Sequence, residues 1–287
     1  MKMSVTLLRC ILTYRLTLYY LAVLVAGSIA LAWYGIVRPT PRDIAYSAVV
    51  AIATCIAVNA VFARVFGAKS NWESVCISAL ILTLIVTPAA PVDFAATGFL
   101  VFASAWAMAS KYILATAKRH IFNPAAFGVA LAGLLLKGSV SWWVGDNATI
   151  LPLIILGGVL VLTRLRYYEL IISFAVVVLG LTLADNPLAG AGTAVSMTAI
   201  HSAFCFFAFV MLTEPRTVPL GRWRQIVYGG LVGLLFFPNS HIGEYYFTPE
   251  VALLIGNIFA FLSNRRRLQR WTTAWGIKSR LLPTKAG

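Results

Sequence analysis

Charged side chains are scarce in this chain: 11% of its 287 residues are Asp, Glu, Lys or Arg, and only nine of those are acids. A soluble domain carries about a quarter charged residues, so an ordinary water-soluble enzyme is excluded. A disordered chain is excluded as well, because 60% of the residues are apolar and the mean hydropathy is +0.87. Cysteine is sparse: Cys10, Cys55, Cys76 and Cys205 form no C-x-x-C pair, and three of them lie in apolar stretches. That spacing spells neither a disulfide framework nor a four-thiolate cluster. Buried thiols are the expectation, with a thiolate site shared between distant segments left open. There is no P-loop, no Rossmann glycine fingerprint and no HExxH, so nicotinamide or ATP chemistry would belong to a partner.

What is present is apolar sequence in bulk and a net charge of +14. In so apolar a chain, that excess marks one side of a membrane rather than a nucleic-acid footprint. Apolar runs recur at about residues 17–36, 45–66, 73–88, 92–110, 122–138, 150–163, 167–184, 197–213, 224–238 and 249–264. Ten crossings of about 20 residues would leave room for loops and tails but for no separate soluble domain. The whole of 1–287 therefore reads as one polytopic membrane domain. The first run follows Lys2, Arg9 and Arg15, is too long for a signal peptide and has no small-residue cleavage site, so it is read as an uncleaved span.

Placing both ends in the cytoplasm puts all 23 basic residues on the inner side except Arg38, Arg42 and Lys137. This is the alternation expected of ten spans. Basic residues of the tail 265–287, Arg265 to Arg270 foremost, would anchor the last helix at anionic headgroups.

Two regions echo each other. Ile81–Pro91 reads ILTLIVTPAAP, and Phe122-Asn123-Pro124-Ala125 then opens a new run. Phe209–Pro219 reads FVMLTEPRTVP, and Phe247-Thr248-Pro249-Glu250 opens another. The intervals from Pro88 to Pro124 and from Pro215 to Pro249 nearly match. An offset of five spans inverts the second copy, which predicts a 5+5 inverted repeat with halves at about 17–138 and 150–264. Such repeats place a site at their interface, commonly at broken helices or Pro-initiated ends. The helix starts at Asn123-Pro124 and Thr248-Pro249 could present N–H groups to an anion or a flavin edge; equally, the prolines could simply start helices.

These segments resemble the RnfD/NqrB family, membrane subunits of Rnf-type electron-transport complexes and of sodium-pumping NADH:quinone oxidoreductase. The similarity runs from about Ser78 to Arg267. It rests on the Leu82–Pro91 ending, on Arg119-His120-Ile121-Phe122-Asn123-Pro124-Ala125-Ala126, on Thr213-Glu214-Pro215-Arg216-Thr217-Val218-Pro219, and on Tyr246-Phe247-Thr248-Pro249-Glu250 leading to Asn257. The resemblance implies a ten-helix inverted repeat in a bacterial inner membrane. It would carry flavin and pass electrons between other membrane and soluble redox subunits, with or without coupled ion movement. In the family FMN is attached to the Thr of an S-G-A-T motif on the outer side. Here the corresponding loop reads Asp146-Asn147-Ala148-Thr149, so Thr149 and its neighbour Asp146 become candidates. Because Asp-Asn stands where the family has Ser-Gly, noncovalent FMN or riboflavin remains open, and so does a capping role for Thr149 at the next helix.

Of the other polar residues, the acids Glu73, Asp93, Glu169, Glu214 and Glu250 stand near membrane depth, where acids default to function. Glu214 in the Thr-Glu-Pro break is the first candidate, beside Thr213. It could hydrogen-bond a flavin or take a proton or cation, or else pair with Arg216 or Arg222. Glu73 and Glu169 are expected at the interface near Arg64, Lys69, Arg164 or Arg166, in structural roles. His120 could help hold a flavin phosphate or line the inner surface. Only His201 falls inside a run, without a partner at its depth, so a bis-histidine haem is not expected. Trp142-Trp143 and Tyr245-Tyr246 read as an interfacial belt. A secondary transporter or channel of the same architecture, without a redox cofactor, is the competing reading, and a scaffold that has lost its flavin is a third.

Overall fold

The computed structural model describes residues 5–68, 70–116, 119–138, 140–186 and 190–264. The basic tail therefore lies outside the described residues. The elements run α1 (Val5–Trp33), α2 (Pro41–Val65), α3 (Trp72–Ile85), α4 (Phe94–Ile113), β1 (Ala115–Thr116), β2 (Arg119–His120), α5 (Pro124–Leu136) and α6 (Leu151–Leu165). They continue with α7 (Tyr168–Asp185), α8 (Ala191–Ile200), α9 (Phe204–Phe206) passing into a π-helical turn (Phe207–Met211), α10 (Arg222–Phe236), β3 (His241–Ile242), β4 (Tyr245–Tyr246) and α11 (Pro249–Leu262). The only strands among the described residues are two-residue antiparallel ladders, β1 with β2 and β3 with β4. The fold is all-α.

Among the described residues, four helices are long and apolar enough to cross a membrane: Thr13–Trp33 within α1, α2, α4 and α7. A fifth crossing arises if α8 and the segment Phe204–Met211, bent by 54°, are counted as one. These helices mark the chain as a membrane protein. Helices α3, α5, α6 and α11 are apolar but have only 14, 13, 15 and 14 residues. At 1.5 Å per residue they rise about 20–23 Å, short of a hydrocarbon core of about 30 Å.

Local chemistry sets the helix starts. Thr40 Oγ1 accepts from Asp43 N at 3.2 Å, with Pro41 in the first turn. Asn71 Oδ1 takes Ser74 N, Asp93 Oδ1 takes Ala96 N, and Asn123 Oδ1 takes Ala126 N. Each satisfies an N–H that the first turn leaves without a helical partner. Asp93 is thus an exposed cap.

Glycine allows the closest packing. A Cβ on Gly128 of α5 would strike the Ala103 carbonyl of α4, and one on Gly229 of α10 would strike the Leu170 carbonyl of α7. Between the later helices, Phe174, Phe204, Phe207 and Phe236 form an aromatic cluster, with the Trp142 ring 5.9 Å from Phe207. Trp142 and Trp143 are buried, not members of an interfacial belt as expected. The loop bearing them folds back on the end of α3: Trp142 N–H donates to the Ile85 carbonyl at 2.9 Å, and Trp143 Nε1–H to the Thr83 carbonyl at 3.0 Å. Carbonyls released where α3 stops recruit these donors. Tyr245 and Tyr246 are exposed.

Several basic residues meet other helix ends. Arg15 pairs with Glu73 at 2.9 Å, Arg222 pairs with Glu169 at 3.0 Å, and the Arg216 guanidinium lies over the Tyr14 ring. Glu73 and Glu169 thus each join two elements, with partners from distant elements rather than Arg64, Lys69, Arg164 or Arg166. His201 caps the end of α8 and is exposed at the bend, not enclosed in a continuous helix. Cys55 and Cys205 are buried free thiols.

Candidate functional site

The antiparallel turn β1–β2 delivers His120, buried, to the segment that follows the π-helical turn. There its Nε2 meets Glu214 Oε1 at 2.6 Å. Glu214 pairs with this histidine, and not with Arg222, which is held by Glu169. The other carboxylate oxygen, Oε2, is buried and has no hydrogen-bond partner among the described residues. Thr213 and Thr217 frame the turn: Thr213 Oγ1 donates to the Phe209 carbonyl at 2.7 Å and Thr217 Oγ1 to the Glu214 carbonyl at 3.2 Å.

Asn123 ties this turn to two more helices. Its Nδ2 donates to the Met211 carbonyl at 3.3 Å, and its backbone N–H donates to Asn257 Oδ1 of α11 at 2.7 Å. Asn257 Nδ2 in turn donates to the Tyr228 hydroxyl of α10 at 2.9 Å. The start of α5 is consequently not an open anion cradle: Asn123 caps Ala126, and its own N–H is taken by Asn257. Lys111, at the end of α4, donates to the Ser74 carbonyl at 2.7 Å and to Ser74 Oγ at 3.0 Å.

A cleft runs beside this network, between α1, α3, α6 and the Thr-Glu-Pro turn. Tyr14, Tyr20, Ser78, Asn123, Phe209 and Glu214 are among its walls. Its volume is about 50 Å³. It is a narrow slot. Tyr20 closes one side, its hydroxyl donating to the Ile154 carbonyl at 3.0 Å and its ring lying against Gly157.

Burial is the main influence on His120 and lowers its pKa below the usual 6.5, against the opposing attraction of Glu214. A buried imidazole resists protonation unless the neighbouring carboxylate compensates it fully. The arrangement is a hydrogen-bonded acid–imidazole pair, partly shielded from water, that can accept or release one proton.

The other sequence candidates stand elsewhere. Thr149 and Asp146 are exposed in a turn, where Thr149 N–H donates to Asn147 Oδ1 at 2.9 Å. Thr149 does not cap α6, whose N-cap position is Ile150 without a side-chain bond; the turn closes one residue too late for that role. Thr248 occupies the N-cap position of α11 but makes no capping bond. Glu250 is 7% exposed, beside Thr248 and Trp142, with its Oε2 unpartnered among the described residues. Four candidates thus converge, namely His120, Asn123, Thr213 and Glu214, while Thr149, Asp146, Thr248 and Glu250 do not line the cleft.

Lys111, Ser74 and Tyr228 belong to the network without having been singled out in the sequence. Asn257 carried a signal, an amide inside an apolar helix. Tyr228 carried none, since an aromatic at a helix position is most often core. No group of three or more His, Cys, Asp or Glu among the described residues could hold a metal ion. The chain matches no protein-family model and no curated protein.

Proposed function

We propose that the chain is a membrane-embedded, flavin-carrying electron-transfer subunit of an Rnf/Nqr-like oxidoreductase complex. In this reading it has ten spans in a 5+5 inverted repeat, with both ends in the cytoplasm of a bacterial inner membrane. The observation that carries the reading is the meeting of two of the four segments on which the family resemblance rests. The Arg119–Ala126 segment and the Thr213–Pro219 segment join through His120–Glu214, and Asn123 of the first also holds Met211, two residues ahead of the second.

Packing lends support to the repeat. Helix α2 packs on α4 as α7 packs on α10, and α4 on α5 as α10 on α11. Likewise α1 packs on α3, and α6 on the π-helical turn. Across the seam α1 meets α6 and α5 meets α11, the pairs expected at an inverted-repeat interface.

The donor set suits the polar edge of a flavin ring. Glu214 offers an unpartnered oxygen as an acceptor, and Thr213, Asn123 and two tyrosines line the same slot. The width suits it less. A volume of about 50 Å³ is far below the 300–1,000 Å³ of ordinary ligand pockets, so the slot in this conformation does not admit a flavin ring. When bound, flavin supplies the redox chemistry, while the helices hold it and tune its potential. Thr149, exposed in its turn, is the point for covalent FMN.

The narrow slot favours one second reading, passage of an ion or small solute without a cofactor. Protein made in its native host, alongside Thr149→Ala and Glu214→Gln, separates the two. Fluorescence of the denatured band lost in Thr149→Ala assigns covalent FMN. A native flavin spectrum lost in Glu214→Gln assigns noncovalent flavin to the slot. No flavin in any sample, with solute flux in liposomes, replaces the redox reading by the transporter.

A further inference from the structure

A second site lies apart from the slot, where α6 hands over to α7 and the chain enters α10. Arg166, Tyr168, Glu169, Gly221, Arg222 and Gln225 are among the residues that line an open surface pocket of about 490 Å³. Arg166 ends α6 in the left-handed region at φ 57° and is exposed, and Arg222 projects beside it with its side chain 85% exposed. Glu169 is held by Arg222 at 3.0 Å, so one positive charge in the pocket remains uncompensated. Arg164 and Arg224 add charge on the flanking positions. Helices α7 and α10 both begin here, and neither has a capping side chain. Their first-turn N–H groups add to the pull on an anion.

Two apolar tracks lead away from the pocket. On α7, Tyr168, Ile172 and Val176 are exposed at four-residue spacing, and on α10 Trp223 and Val227 are exposed in the same way. Ser173 Oγ of α7 donates to the Ile226 carbonyl of α10 at 2.7 Å, and Gly229 and Gly233 lie against Leu170 and Phe174. The two helices therefore run side by side from the pocket into the apolar zone. A cationic pocket of headgroup size at the origin of two exposed apolar tracks has the chemistry of a phospholipid site.

We propose that this pocket binds the headgroup of an anionic phospholipid, with Arg166 and Arg222 on its phosphate and the acyl chains along α7 and α10. This does not depend on the redox reading. The binding orients the inner ends of α6, α7 and α10 at the membrane surface.

The test is native mass spectrometry of the full chain in detergent, titrated with dioleoyl-phosphatidylglycerol or dioleoyl-phosphatidylcholine. The wild type retains phosphatidylglycerol in preference, and Arg166→Gln with Arg222→Gln weakens that retention roughly tenfold. Arg38→Gln with Arg42→Gln removes the same charge elsewhere and keeps the preference. Arg166→Gln alone has no ion pair to lose, so its weakened retention separates lost binding from lost folding. An equal loss in the Arg38/Arg42 pair overturns the site in favour of general charge attraction. Retention unchanged in the Arg166/Arg222 pair overturns it outright. Displacement of the lipid by inorganic phosphate alone reassigns the pocket to a soluble anion.

Discussion

His120 Nε2 and Glu214 Oε1 lie 2.6 Å apart, although 94 positions separate them in the chain. The contact closes the polar network over the slot, and it makes stability depend on pH. Burial lowers the pKa of His120, so the unfolded chain takes up a proton more readily than the folded one. The stability that this neutral imidazole allows is complete above about pH 6.5 and is lost as pH falls below it. The melting temperature in detergent should fall between about pH 7 and pH 5, and the fall should be shallower in His120→Gln. Parallel curves for the two proteins would remove the pair from this role.

Substitutions at Glu214 should separate hydrogen bonding from charge. Glu214→Gln keeps a partner for the imidazole. Glu214→Leu leaves a buried donor or acceptor unsatisfied, which costs about 1–3 kcal/mol. Thermal unfolding in detergent should therefore rank wild type and Glu214→Gln close together, with Glu214→Leu clearly below both. An unchanged melting temperature in the leucine variant would mean that water replaces the carboxylate at no cost.

Helix spacing rests on glycines that can be tested singly. A methyl group on Gly128 would meet the Ala103 backbone oxygen, and one on Gly229 the Leu170 oxygen. Backbone cannot swing aside as a flexible side chain can, so Gly128→Ala and Gly229→Ala should each destabilise by about 1–3 kcal/mol. At Gly180 nothing lies within 4 Å of the added atom. Gly180→Ala should be neutral or stabilising by up to about 1 kcal/mol. Unfolding midpoints of the three variants give the comparison directly.

Most helix positions are legible in the sequence because apolar runs between polar breaks carry them. The run expected at 167–184 is α7, Tyr168–Asp185, and the one at 45–66 is α2, Pro41–Val65. Helix α1 starts earlier than its run, at Val5, because Arg9 and Arg15 interrupt hydrophobicity without interrupting helix formation. The bend after Ile200 is not legible: Ala199 to Phe209 is almost unbroken apolar sequence, and only His201-Ser202 hints at a stop. In the site, the Pro-flanked motifs announced Asn123, Thr213 and Glu214. The partner of Glu214 was not announced, since Arg216 and Arg222 are nearer in sequence and His120 arrives only through tertiary packing. The burial of Trp142 and Trp143 is not legible for the same reason: a tryptophan beside a polar loop looks interfacial until the loop is known to fold inward.

The membrane topology is decided by accessibility. With both ends in the cytoplasm, the turn holding Thr149 faces outward and the pocket beside Arg222 faces inward. Both positions are open to reagent, since Thr149 is exposed and Trp223 is 81% exposed. In a background with the four cysteines replaced by serine or alanine, Thr149→Cys should react with a membrane-impermeant maleimide on intact spheroplasts. Trp223→Cys should react only after the membrane is opened. Labelling of both from outside would mean an even number of crossings between residues 149 and 223, where the ten-span arrangement requires an odd number; the result would therefore remove one crossing between α6 and α10. The bent segment Ala191–Met211 is the piece that would have to turn back, because among the described residues of that interval it is the stretch whose geometry serves equally for one crossing or for a re-entrant loop.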